Sequence, residues 1–183
     1  IPGAKERSLL SKEIAEYISE KIGLEPQEKE ELVLSSLFRE IGRIALPEDV
    51  VNPGEEKIVS EKTKLYRSHA LFGRKLLSSM KTYTSCASLV GEQYERFDGE
   101  GFPNGLRGNQ MSTGALILQA ITFYAEQAAK GLKKEEIIDS IRSASGKALD
   151  PHIAGYLVEF VLEREKDPFG KTMKVQIHEL KPG

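Results

Sequence analysis

Apolar residues recur at spacings of three and four along most of this chain, and the pattern breaks sharply at one stretch crowded with turn formers. That rhythm restricts the fold to packed helices. Ile14, Tyr17 and Ile18 share one face of a helix over 12–21, which Gly23 can stop. A second helix from about Gln27 carries Val33, Leu37, Ile41 and Ile44, with Leu34 and Phe38 widening the stripe. Residues 47–54 read as a loop, punctuated by Pro47, Asn52, Pro53 and Gly54. A third helix from Ser60 turns Leu65, His69, Phe72 and Leu76 inward, and a fourth from Thr84 aligns Cys86, Val90, Gln93 and Phe97.

Residues 98–110 hold Asp98-Gly99, Gly101, Pro103, Asn104-Gly105 and Gly108-Asn109, a density that marks a shaped loop rather than a simple connection. Helices are then expected over 112–130 and 133–145. A last one has Asp150 as N-cap, Pro151 at its first position, and Ile153, Leu157, Phe160 and Val161 inward. The expectation is an all-α bundle of about seven helices. Met173, Val175 and Ile177 alternate with Lys174, Gln176 and His178, the period of one half-buried strand. The organisation is therefore a helical domain over 1–170 and a short tail over 171–183, a single strand or the start of a linker.

At 183 residues with 39% hydrophobic and 30% charged side chains, the chain is long enough for one domain with a real core. No apolar run approaches the ~18 residues that span a bilayer. The chain opens on Ile1 rather than Met, which reads as a piece of a longer protein. The 26 basic and 28 acidic residues balance to −2, which gives no electrostatic case for a nucleic-acid polymer or an anionic membrane. The single cysteine, Cys86, excludes an internal disulfide and a paired-cysteine zinc site, and fits a reducing, cytoplasmic setting. Its place on an inward face makes it a core residue rather than a nucleophile.

Three segments carry chemistry. Residues 37–47 read LFREIGRIALP, residues 68–73 read SHALFG, and residues 94–108 read YERFDGEGFPNGLRG; a shorter fourth, GKALDP, spans 146–151. In this order they resemble the HD-GYP domains, whose corresponding segments are L-L-H-D-I-G-K-I-G-I-P, H-x-x-x-G, H-E-R-W-D-G-S-G-Y-P-x-G-L-x-G and G-x-x-F-D-P. The resemblance runs from about Lys12 to Leu162. It implies the HD-GYP helical bundle and, in that family, two or three iron or manganese ions that hydrolyse cyclic di-GMP. Such chemistry needs neutral imidazoles and carboxylates to hold the metals, activate a bridging water and clamp the phosphate.

Residue types depart from that pattern. The H-D doublet is Arg39-Glu40, the histidine pair before the signature loop is Gln93-Tyr94, and the late aspartate is Thr122. No histidine precedes His69, which alone matches a full-strength ligand. Arginine stays protonated and has no lone pair to offer a metal. The expectation is therefore that Arg39, Glu40, His69, Gln93, Tyr94 and Thr122 are vestigial metal-site positions, with no metal, no cofactor and no enzymatic activity. His69 is read either as a buried histidine held by one hydrogen bond or as part of a relict weak metal site with Glu40 and Glu95. Arg39 is expected to bridge Glu40 and Glu95 where a metal once sat.

The signature loop retains Asp98, Gly99, Gly101 and Pro103, whereas Phe102 replaces the family tyrosine and lacks its hydroxyl. Arg43, Arg96 and Arg107 form a candidate phosphate-binding cluster, since guanidinium forks suit phosphate oxygens, or else are solvated surface arginines. The expected function is a catalytically inactive regulatory or protein-interaction module in bacterial signalling. Its partners would be another protein, another domain of a longer chain, or a second copy in a homodimer. The alternative is a cyclic di-GMP receptor that binds through the loop arginines without cutting.

Overall fold

The computed structural model describes residues 3–51 and 60–164. It is all-α, and among the described residues there are nine α-helices and no sheet. In order they are α1 (Ala4–Ile22), α2 (Pro26–Phe38), α3 (Glu48–Val51), α4 (Ser60–Arg67), α5 (His69–Ser78), α6 (Thr84–Glu92), α7 (Thr113–Ala129), α8 (Lys134–Ala144) and α9 (Pro151–Glu163). The tail strand expected around Met173 lies outside the described residues, as do Asn52, Pro53 and Gly54. No described helix is long and apolar enough to cross a membrane.

The bundle forms around α7, which buries residues on every side, among them Ile117, Leu118, Ile121 and Tyr124. Such a helix belongs in the interior, because it has no polar face to give to water. Ile14 and Ile18 of α1, Leu157 of α9 and Ile141 of α8 complete the same core. Local signals set the helix ends. The Ser112 side chain accepts from the Ala115 amide, and Asp150 accepts from the amides of His152 and Ile153. After α1, Gly23 adopts φ 74°, and the amides of Gly23 and Leu24 reach back to the Ser19 carbonyl.

The second expected helix is two elements. α2 ends at Phe38, and residues Ile41–Ala45 wind into a 3-10 turn. Ile44 is consequently 72% exposed, off the apolar stripe that its spacing implied. The loop expected at 47–54 contains the short α3. The third helix also divides, at Ser68, into α4 and α5. Its inner face is His69, Ala70, Gly73 and Leu77, whereas Leu65, Phe72 and Leu76 are exposed. The spacing was helical, but the buried face of α5 lies one position round from the expected stripe, along His69, Ala70, Gly73 and Leu77. Phe97 falls beyond the end of α6. Cys86 is buried in the core with its sulfur 3.7 Å from the Glu31 carbonyl, as a core residue should be.

The 3-10 turn lies backbone to backbone on α5, and this close approach positions the residues on either side of Gly42. A side chain on Gly42 would place its first carbon 1.9 Å from the His69 carbonyl oxygen and 2.4 Å from the Gly73 nitrogen. Neither atom can yield without moving a helix. Gly42→Ala is expected to destabilise the fold by about 3 kcal/mol or more, the upper range for overpacking, as read by denaturant unfolding.

Candidate functional site

Glu40 ends up beneath three arginines. Arg39 Nη2 lies 2.8 Å from one carboxylate oxygen, Arg43 Nη1 lies 2.6 Å from the other, and Arg7 donates from Nε and Nη2 at 3.0–3.1 Å. Arg39 and Arg43 are buried at 3% and 6% exposure, and Arg7 forms the open edge of the group. Backbone geometry dictates this convergence. The chain leaves α2 at Arg39, and the tight 3-10 turn brings Arg43 back to within reach of Glu40. Arg43 is further fixed by the Val51 carbonyl at 3.1 Å and stacks over the Tyr66 ring.

Burial alone would raise the Glu40 carboxyl, but the charges of Arg39, Arg7 and Arg43 outweigh it and hold the group at about 2. His69 sits below, fully buried at the start of α5, with Nδ1 2.7 Å from the Tyr66 carbonyl. Since a carbonyl only accepts, Nδ1 carries the proton and Nε2 presents its lone pair. Burial pushes His69 down to about 4; the Tyr66 hydrogen bond opposes this and the Arg39 charge adds to it. The ring lies edge-on to both Tyr66 and Tyr94. Among the described residues, His69 Nε2, Arg39 Nε and Arg43 Nε have no hydrogen-bond partner.

Gln93 and Thr122 join the same neighbourhood from α6 and α7. Gln93 donates from Nε2 to the Arg39 carbonyl at 3.1 Å and to the Val90 carbonyl at 2.9 Å. The Thr122 hydroxyl lies 3.3 Å from the Gln93 side-chain oxygen and 3.0 Å from the Leu118 carbonyl. Arg39, Glu40, His69, Gln93, Tyr94 and Thr122 are thus brought together, chiefly through contacts with one another. Arg7 and Tyr66 were missed by sequence reasoning. Extending the apolar stripe of α1 back one turn from Leu10 would have placed Arg7 on the inner face.

Glu95 does not join them. Fully buried, it accepts from the amides of Asn104 at 2.6 Å and Leu106 at 2.9 Å, so it organises the signature loop from within. Arg39 therefore does not bridge Glu40 to Glu95, and the metal trio of His69, Glu40 and Glu95 does not form. Gly101 packs so tightly on this turn that an added side chain would meet the Arg96 nitrogen at 2.3 Å and the Glu95 Cα at 2.5 Å. Phe102 stacks on Tyr94, whose carbonyl accepts from the Phe102 amide. Pro103 follows it in the turn, and Gly99 takes φ 81°. The late segment clasps the loop: the amides of Phe97 and Asp98 donate to the carbonyls of Ala148 and Lys147.

Arg43, Arg96 and Arg107 do not form one cluster. Arg43 belongs to the Glu40 group, while Arg96 and Arg107 both turn to Asp98, the first through its carboxylate and the second through its backbone carbonyl. The metal pair that the resemblance implies does not fit these residues. The Glu40 carboxylate is ringed by guanidinium donors and Glu95 by loop amides. Among the described residues, no group of three or more His, Cys, Asp or Glu is placed to hold a metal ion.

The two shifted groups set an acid limit on stability. His69 binds a proton more weakly in the folded state than at its ordinary 6.5, and Glu40 more weakly than at 4.5. Each contribution is complete above the ordinary value and is lost as pH falls towards the folded one. Stability is expected to fall by about 3 kcal/mol between pH 6.5 and 4 through His69, and by a further ~3 kcal/mol between 4.5 and 2 through Glu40. Urea unfolding across pH, repeated with His69→Gln and Glu40→Gln, separates the two steps.

Comparison with known proteins places this geometry. The family model for the HD domain matches residues 2–153. A cyclic di-GMP phosphodiesterase response regulator of Xanthomonas campestris, RpfG, is 27% identical over 153 residues, covering 79% of this chain and 40% of that protein. A cyclic di-GMP phosphodiesterase of Thermotoga maritima is 25% identical over 180 residues, covering 91% of this chain and 48% of its own length. The chain thus spans under half the length of these curated relatives. Among solved structures, an HDGYP protein from Bdellovibrio bacteriovorus superposes with a TM-score of 0.72 at 18% identity, over 85% of this chain and 51% of that one. A Vibrio cholerae phosphodiesterase specific for cyclic GMP-AMP gives 0.68 at 16% identity, over 96% and 49%. These names overturn the expectation that the chain is no enzyme, because the relatives it matches are phosphodiesterases. With its fold shared by an HDGYP protein and the family model covering most of its helices, this chain belongs to the HD domain family.

Proposed function

We propose that this chain is a cyclic-dinucleotide signalling domain, and that the arginines around Glu40 engage the phosphates of the dinucleotide. One observation carries the reading: two buried guanidinium groups and a third at the edge converge on a single carboxylate. Arg39 and Arg43 alone bring two positive charges to that one carboxylate. The Nε–H groups of Arg39 and Arg43 make no hydrogen bond there, though both are enclosed by the fold. A phosphodiester offers negative charge and acceptor oxygens, the complement of both. Relatives named for cyclic di-GMP and cyclic GMP-AMP supply the ligand class. The loop arginines are less suited, since Arg96 is neutralised by Asp98.

A second reading, regulation through protein contact, draws on the outer face of α5. Leu71, Phe72 and Leu76 are 37–41% exposed there, with Leu65 and Met80 exposed nearby. Sedimentation of the native protein and of Phe72→Glu checks it: a self-associated or partner-bound species should be lost in the variant.

Titration calorimetry with cyclic di-GMP and with 3′3′-cyclic GMP-AMP tests the main reading. Saturable binding is expected in the native protein, weakened at least about tenfold by Arg43→Ala, the loss of one charge-assisted contact. Absence of binding in the native protein, or equal binding in the variant, would overturn it. Product analysis on the same samples, with iron or manganese supplied, measures turnover of the bound dinucleotide.

A further inference from the structure

The donor chemistry of the site disagrees with the metal centre that the HD-GYP resemblance implies, and the disagreement has a shape. We infer that the guanidinium of Arg39 is the resident cation of this site, balancing the Glu40 carboxylate from within the chain and leaving no place for metal ions. This concerns what organises the site, and it stands whether or not a dinucleotide binds there.

Position points to Arg39 first. It occupies the first place of the H-D doublet, and its Nη2 reaches the carboxylate of the next residue at 2.8 Å. Its backbone carbonyl receives Gln93, and Gln93 is joined in turn to Thr122. The Arg39 side chain therefore meets the carboxylate while its backbone joins the end of α2 to Gln93 and, through it, to Thr122 of α7, at the positions where the resemblance calls for ligands. A metal centre links separate helices through shared coordination; here the linkage runs through hydrogen bonds and one ion-paired carboxylate. The linkage is also dry, with Arg39, Gln93, Thr122 and His69 each 3% exposed or less.

Charge points the same way. A divalent cation at Glu40 would stand among Arg7, Arg39 and Arg43, and would have to displace them from the carboxylate. Those guanidiniums cannot lose their protons to make room. His69 Nε2 retains a free lone pair, but a lone imidazole beside fixed positive charges is a poor metal site. The cation that a carboxylate in this pocket requires is supplied by the chain.

Thermal unfolding with and without metal tests the inference. The melting temperature of the native protein is expected to be the same in Mn²⁺, in Zn²⁺ and in EDTA. Arg39→Met should lower it by roughly 10 °C, as for a broken buried ion pair, with no recovery in metal. Arg39→Lys should restore most of that loss. Arg39→His, which returns an imidazole beside Glu40 and His69, should melt low in EDTA and recover in part with Mn²⁺ or Zn²⁺. Saturable Mn²⁺ or Zn²⁺ binding by the native protein that Glu40→Gln abolishes would overturn the inference, and so would an Arg39→Met protein that melts like the native one. Should Arg39→His fail to fold, the native titration and the Met and Lys variants still decide.

Discussion

A carboxylate taken out of water needs compensation, and at Glu40 three guanidinium groups provide it. Removing any charge from such a buried group leaves the others uncompensated, which typically costs about 3–5 kcal/mol, a large share of the stability of a single domain. The rest of the site is arranged to permit this convergence. The 3-10 turn folds Arg43 back, Gly42 lets that turn lie on the backbone of α5, and α1 contributes Arg7 from the far end of the described chain. His69 is kept neutral beneath the cluster by the same burial and the same positive field.

The signature loop is a second, separate piece of architecture. Its organiser is Glu95, a buried carboxylate whose charge is met by backbone amides rather than by arginines. The segment at Lys147 and Ala148 then ties the loop to the start of α9. The fully buried Glu95 and the half-buried Glu40 thus serve different ends. Glu95 shapes a loop, whereas Glu40 gathers cations. That contrast is why phosphate recognition is assigned to the Glu40 group rather than to Arg96 and Arg107, which Asp98 already occupies.

Much of this was legible in the sequence, and the failures have physical causes. Asp150-Pro151 and the stripe of α9 gave a true helix because local capping and burial agree there. The stripe from Val33 to Ile44 misled because spacing cannot distinguish a continuing helix from a turn that tightens at Ile41. Leu65, Phe72 and Leu76 kept helical spacing, yet the buried face of α5 is centred on His69, Ala70, Gly73 and Leu77 and leaves them at the surface. Arg39, Glu40, His69, Gln93, Tyr94 and Thr122 come close together in the fold because the chain segments that carry them turn inward. Their partners were not legible: that Glu95 turns to loop amides, and that Arg7 reaches Glu40 from 33 residues away, are properties of tertiary packing. The reading of the chain as no enzyme failed differently, because residue types at a few positions do not outweigh kinship with named phosphodiesterases.

We propose that the arginines around Glu40, organised without a metal, bind the phosphate of a cyclic dinucleotide in this HD domain. A crystal structure grown with both Mn²⁺ and cyclic di-GMP, with anomalous data collected at the manganese edge, tests it most directly. An arginine-centred site predicts a dinucleotide phosphate against Arg7 and Arg43 and no manganese signal between Glu40 and His69. Anomalous peaks at that place, with the phosphate bound to them instead of to the arginines, would contradict it.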